Sequence, residues 1–213
     1  HCECAHYAHG QHLAGSPIAK LVQQLADAIR ASRPGQLKAS GTGQGGIWHL
    51  ALAGWLDAMG LRADHVRWVP SNGAAPAMQD LLGGQIESVF DPITTNVATL
   101  KAGSIRALAV STPKRLAALP SIPTFAELGF AKLTGSQWLG LSAPKGLPPA
   151  ITQRLAALIP DVLSRPDVAA RLEDLQTLPR SPNPMGDEFV QMVRSQIDTW
   201  KSVARTSNVE VIG

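Results

Sequence analysis

From Ile18 onward the apolar positions follow two rhythms that alternate along the chain. Ile18, Leu21, Val22, Leu25 and Ile29 recur at the three-and-four spacing of one helical face. Ser16-Pro17 precedes them as an N-cap with proline at the first helical position, and Pro34-Gly35 stops the run. Short apolar runs bounded by glycine, proline or small polar residues come next, with helical spacing between them. The pattern predicts strands over 37–39, 65–69, 86–90 and 105–110, and helices over 47–59, 75–82 and 94–101. Gly60 suits the left-handed position after the second helix. Strands and helices alternating at this spacing imply βαβ units and a largely parallel sheet, on which ligands bind beyond the carboxyl ends of the strands. After residue 136 helical signals dominate, at 148–163, 168–175 and 186–205, with one more strand expected near 209–212.

Three loops at those carboxyl ends carry the candidate chemistry. The first is Ser40-Gly41-Thr42-Gly43-Gln44-Gly45-Gly46, running from a strand into a helix. Glycine lets a ligand approach the main chain closely, and the first N–H groups of the following helix lack internal partners at the positive end of its dipole. An anion, carboxylate or phosphate, is the natural guest. An ordinary glycine-containing connection is the competing reading. The second loop, Val69 to Ala77, offers another set of backbone donors, and its Ser71 and Asn72 either add side-chain hydrogen bonds or close the turn. In the third, Asp91 ends an apolar strand, with an N-cap role for the helix beginning around Pro92 as the alternative.

Nucleotide-binding loops fit the first segment poorly. A phosphate-cradling G-x-x-x-x-G-K-[ST] loop is excluded, because Gly46 is followed by Ile47, Trp48 and His49, with neither lysine nor hydroxyl. Gly41, Gly43 and Gly46 do satisfy G-x-G-x-x-G, but Asp64, near the required distance, precedes its strand instead of closing it. A Rossmann-like nucleotide-binding enzyme domain is kept as an alternative. Asp91 and His49 form an acid/base pair on paper, yet no nucleophile accompanies them and no Ser/His/Asp set stands beside the loops, so the chain reads as a non-enzyme. His49, one turn inside its helix, reads as a packing residue before a ligand.

Composition narrows the class. The 213 residues suffice for one good core or two small lobes, with 45% hydrophobic and 16% charged residues. No apolar run approaches the about 18 residues of a membrane span. Lys and Arg are scattered singly and the formal charge is +3, which argues against nucleic acid and mildly favours acidic ligands. The first dozen residues differ from the rest: His1, Cys2, Cys4, His6, His9 and His12 hold both cysteines and four of the six histidines. A metal-binding module through Cys2, Cys4, His6 and His9 is a second alternative, although the spacing matches no standard zinc site. A disordered or artificial tail is the favoured reading, and no cofactor is expected. The start lacks the apolar stretch of a signal peptide, so the chain reads as beginning after any such signal.

Taken in order, these segments resemble the substrate-binding receptors of the tripartite tricarboxylate transporter family, also called Bug-type receptors. The resemblance rests on Ser40 to Leu50, on V-P-x-x-G-x-x-P-A at Val69 to Ala77, and on Asp80 to Glu87. It continues through Gly103 to Ser111, Arg115, Leu119 to Gly129 and Trp138 to Pro144. It implies a periplasmic-binding-protein-like α/β fold of type II, whose two lobes close on a small organic carboxylate such as a di- or tricarboxylate, amino acid or aromatic acid. It implies a periplasmic location, integral-membrane transporter subunits as partners, and no catalysis. Carried over by position, the ligand-binding residues would be Thr42, Gln44, Gly45, Gly46, Ser71, Asn72, Gly73 and Asp91. Two departures stand out. Family members usually carry a tyrosine-like residue and a lysine where this chain has Ser71 and Asn72, and they carry a further N-terminal segment with a P-G-G loop that has no equivalent here. The expected division is therefore an atypical tail at 1–15, a complete α/β lobe at 16–136, and the helical return of the other lobe at 137–213, in a truncated form of weak binding. Trp138, Trp200 and the apolar helix faces after residue 137 would then lack sheet partners, unless a rearranged contact or a homo-oligomer covers the incomplete lobe.

Overall fold

The apolar face read from Ile18 to Ile29 becomes helix α1 (Ile18–Ala31), which buries Val22, Ala26 and Ile29 at one spacing and leaves its polar face to solvent. The computed structural model describes residues 4–9, 18–116, 119–133, 138–174, 177, 183–206 and 209. The Ser16-Pro17 cap, Cys2 and, beyond residue 209, the strand expected near 209–212 lie outside the described residues.

Strand β1 spans Cys4–His9, β2 spans Lys38–Ser40, β3 Arg67–Val69, β4 Ser88–Pro92 and β5 Ile105–Val110. Helices α2 (Ile47–Ala58), α3 (Ala74–Leu82) and α4 (Val97–Lys101) connect them, with a 3-10 turn at Ile93–Thr95 ahead of α4. Gly60 takes the left-handed conformation expected of it after α2, at φ 73°. The sheet runs in the order β3-β2-β4-β1-β5. β2 pairs parallel with β3 and β4, as the βαβ reading requires.

β1 corrects two expectations. Where the sequence suggested an irregular tail, the backbone of residues 4–9 is a strand in the sheet interior, antiparallel to β4 through Ala5↔Asp91 and Tyr7↔Val89 and to β5 through Ala5↔Val110 and His9↔Ile105. The sheet is thus mixed: four strands share one direction and the reversed β1 separates the last two. Interior pairing on both edges stabilises a strand whose own residues have little strand preference. Cys4, His6 and His9 are accordingly drawn out along an extended segment. Among the described residues no group of three or more His, Cys, Asp or Glu is placed to hold a metal ion.

Two apolar clusters hold the sheet between its helices. Val22, Ala26 and Ile29 of α1 and Trp48, Leu52, Trp55 and Leu56 of α2 meet Phe90 and Leu108 on one side. Ala77, Met78 and Leu81 of α3 meet Val89, Ile105, Ala107 and Val110 on the other. Neighbouring Val89 and Phe90 serve opposite clusters, the two-residue alternation of a strand covered on both faces. Trp55 is the centre of the first cluster: its ring lies 6.2, 5.9 and 6.0 Å from those of Phe90, Phe125 and Phe130. The last two are edge-on, the favoured aromatic geometry.

Beyond residue 138 the character changes. Helices α5 (Pro149–Leu163), α6 (Pro166–Asp174) and α7 (Asp187–Thr206) contain no buried residue. Ile151, Leu155, Leu158 and Val162 line up on one face of α5 yet stay 46%, 50%, 37% and 45% exposed. Trp138 packs edge-on to Phe189 at 5.3 Å, and both Trp138 and Trp200 are half-buried.

Candidate functional site

The first loop begins where β2 ends. Ser40 is fully buried and its hydroxyl donates to the Val69 carbonyl at 2.7 Å, binding the ends of β2 and β3 together. Gly41 has no room for a side chain: a Cβ there would overlap the Phe90 carbonyl and come within 2.9 Å of the Trp68 ring. The chain then turns back, with the Gly46 N–H donating to the Gly43 carbonyl at 3.2 Å and Gly45 at φ 75°, before α2 starts. Gly43 and Gln44 are exposed at the tip. The amides of Gly43 and Gln44, and those of Ile47, Trp48 and His49 in the first turn of α2, find no acceptor among the described residues. No acidic residue occupies that turn. These donors and the helix dipole together favour an anion.

The second loop is fastened to the first through Thr42. The Thr42 carbonyl accepts both the Ser71 N–H and the Trp68 indole N–H, each at 3.2 Å. Ser71 is therefore engaged within the protein: its amide is bound to Thr42, and its hydroxyl donates to the Gly73 carbonyl at 3.0 Å. Asn72 is exposed beside it, and Gly73 precedes α3, whose first turn again carries no acidic residue. The fold thus joins Thr42, Ser71 and Gly73 by direct bonds, leaves Gln44 and Asn72 at the surface, and turns the amides of Gly45 and Gly46 inward.

Asp91 lies on β4, beside β2, and is fully buried. It does not cap a helix: Pro92 occupies that position without a side-chain bond. Its Oδ2 instead accepts the Asn96 amide at 3.0 Å and the Thr95 hydroxyl at 3.2 Å, shaping the 93–96 turn. Among the described residues Oδ1 has no hydrogen-bond partner. Burial pushes its pKa from 3.8 up to about 6, against the opposing pull of the Asn96 and Thr95 bonds.

His49 has a role the sequence did not single out. It is buried, and its Nδ1 accepts the Gly45 N–H at 3.0 Å. A backbone amide can only donate, so this nitrogen is unprotonated. Burial lowers the His49 pKa, which keeps the ring neutral. The ring stacks on Trp68, with centroids 4.9 Å apart and planes 16° from parallel. The four-residue spacing from Gly45 to His49 across a helix start was the one available signal.

Asp64, the residue on which the dinucleotide alternative depended, is exposed ahead of β3 and paired with Arg62 at 2.7 Å. That position is remote in kind from an acidic residue closing a strand beside a ribose.

Comparison with known proteins identifies the family and the fold. The model of the tripartite tricarboxylate transporter family receptor matches residues 12–209. A UPF0065 protein in the tcbD-tcbE intergenic region of Pseudomonas sp. strain P51 is 33% identical over 189 residues, which are 85% of this chain and 53% of that protein. The chain spans about half the length of the curated relatives it matches. Among solved structures, Rpa4515 of R. palustris with adipate has a TM-score of 0.84 at 25% identity, covering 98% of this chain and 66% of that one. MatC (Rpa3494) from Rhodopseudomonas palustris with bound malate has a TM-score of 0.79 at 25% identity, covering 95% of this chain and 66% of that one. The α/β architecture is that of periplasmic binding proteins. The chain belongs to the tripartite tricarboxylate transporter receptor family.

Proposed function

We propose that this chain forms the carboxylate-binding lobe of an extracytoplasmic solute receptor. It hands a small di- or tricarboxylate, an amino acid or an aromatic acid to the membrane subunits of a tripartite tricarboxylate transporter. The observation that carries this reading is the junction at Thr42, which holds two donor-rich loops together at the carboxyl ends of β2 and β3. Relatives in this family were solved with malate and adipate, both dicarboxylates. The donors are Gly43 and Gln44 with the first turn of α2 on one side, and Asn72 and Gly73 with the first turn of α3 on the other. Thr42, Gly45, Gly46 and Ser71 shape the site from behind, and Asp91 supports it from β4. In this reading binding is reversible and without turnover, and the bonds of buried His49 and Asp91 within the fold support structural roles for both.

Residues 16–136 act as the binding lobe, with β1 completing its sheet, and 137–213 as the return of a second lobe. By itself the 213-residue chain binds weakly. Donors from one lobe leave the far face of each carboxylate solvated, and water screens the charge that a closed cleft would isolate. Titration of the 15N-labelled chain with malate, adipate, citrate and glutamate tests the reading. Shifts should concentrate in residues 43–49 and 72–75, with dissociation constants in the millimolar range. A micromolar constant would refute the weak half-site, and shifts confined to other residues would refute the site itself.

A further inference from the structure

One residue that touches no ligand in this reading holds the loop in shape, and its role rests on the carboxylate site proposed above. Between Gly43 and Gly46 the chain makes a four-residue turn closed by the Gly46 N–H to Gly43 carbonyl bond, with positive φ at the third position, Gly45. This is the arrangement of a type II turn. Types I and II differ by a rotation of the central peptide, here Gln44–Gly45, through about 180°, and glycine at the third position tolerates both. The hydrogen of that peptide is the Gly45 N–H. Its acceptor is His49 Nδ1. His49 is in turn held by its stack on Trp68, whose indole N–H is fastened to Thr42 in the same loop.

We propose that His49 is the positioning residue of the anion loop: its unprotonated Nδ1 selects one of the two orientations of the Gln44–Gly45 peptide, and the loop receives a carboxylate only in that orientation. Reversal would bring the Gln44 carbonyl, in place of the Gly45 N–H, against Nδ1 and set two acceptors face to face, so the backbone that carries the Gly43 and Gln44 amides would have to shift. Protonating Nδ1 sets one N–H against another and acts like removal of the acceptor. Around His49, α2 itself carries Asp57, the strands carry Lys38, Arg67 and Asp91, and α7, which packs against α2, carries Asp187, Glu188, Arg194, Asp198, Lys201 and Arg205. Asp91, with its pKa raised to about 6, also changes charge as the pH is lowered. A variant that keeps the acceptor but cannot titrate separates the two.

The experiment compares the 213-residue chain with His49→Asn, whose Oδ1 can replace Nδ1 as acceptor, and His49→Phe, which keeps the bulk without an acceptor. Hydrogen exchange of the Gly45 amide and malate-induced shifts over residues 43–49 are read on each by 15N NMR. His49→Phe should accelerate Gly45 exchange about five- to tenfold, as expected for losing one hydrogen bond, and diminish the malate shifts. His49→Asn should keep both within about twofold of the parent. As pH falls below the usual imidazole range, protection and malate shifts should fade in the parent but not in His49→Asn, after correction for intrinsic exchange. Equal Gly45 protection in the parent and His49→Phe would overturn the lock. Lost protection with undiminished malate shifts would overturn its part in binding. If the parent shows no malate shifts while Gly45 protection still depends on His49, the carboxylate site fails and the lock alone stands. Should His49→Phe not fold, the pH comparison between parent and His49→Asn decides.

Discussion

Helices α2 and α5 are of similar length, 12 and 15 residues, and both carry rows of large apolar side chains, yet they differ completely in burial. α2 buries seven residues, including Trp48, Leu52, Trp55 and Leu56, between the sheet and the segment around Phe125 and Phe130. α5 buries none. The difference teaches that an apolar row specifies a face without specifying what lies opposite it. For α2 the opposing surface is built by strands within the same 110 residues. For α5 the described residues build none. The functional loops attach to the first kind of region, where packing fixes the backbone to which the donors belong.

Removing the centre of the packed region should have the largest effect. Trp55→Ala is expected to lower stability by about 3–5 kcal/mol, read by urea unfolding, because it empties the meeting point of three aromatic rings. A loss below about 1 kcal/mol would show that this region is no better packed in solution than α5. Within the loop the contrast can be sharpened by two glycines. Gly41→Ala forces Cβ against the Phe90 carbonyl and should cost about 1–3 kcal/mol, whereas Gly43→Ala meets nothing within 4 Å and should change stability by less than about 0.5 kcal/mol. Equal effects in thermal melts would mean that the loop does not sit against β4.

Asp91 offers a charge test of the same region. Its folded pKa is raised above its unfolded value, so its contribution is fully present below about pH 4 and declines as pH rises toward 6, where a charge must form in the interior. Asp91→Asn should remove that slope and raise stability at pH 8 by on the order of 1–3 kcal/mol, since the amide oxygen can still accept from Asn96. An unchanged pH profile in chemical unfolding would show that Asp91 is hydrated. The smallest effect belongs to the other region: Leu155→Ser on α5 should alter the urea midpoint by less than about 0.5 kcal/mol equivalent. A cost above about 1 kcal/mol would mean that the α5 face is covered in solution.

Most elements were legible because their signals are local. The periodic face of α1, the punctuation by Gly60, Gly83-Gly84 and Gly103, and the apolar run of β5 each lie within a few residues of what they specify. β1 was illegible for the opposite reason. Cys4-Ala5-His6-Tyr7-Ala8-His9 contains no β-branched residue, and its strand conformation comes from pairing with residues 88–92 and 105–110. In the loops, the glycine pattern indicated exposed donors but not their directions. Whether Gly45 turned its N–H outward or inward depended on a side chain four residues later and on Trp68 arriving from another strand. Asp91 could be placed at its strand, but its burial and its bonds to Thr95 and Asn96 follow from tertiary packing.

The position of β1 also sets a schedule for synthesis. Of the five strands this one is made before the others, while its partner β5 is translated only after the whole span from His9 to Ile105. At ordinary elongation rates that is a delay of roughly 5–20 s. Throughout it, the edge of β1 that pairs with β5 has no partner strand, and its N–H and C=O groups wait unpaired. Completing the sheet then requires closure between opposite ends of the lobe, a high-contact-order step that comes late in folding. A newly made chain therefore passes through a period in which holding factors that shield strand edges would raise its yield.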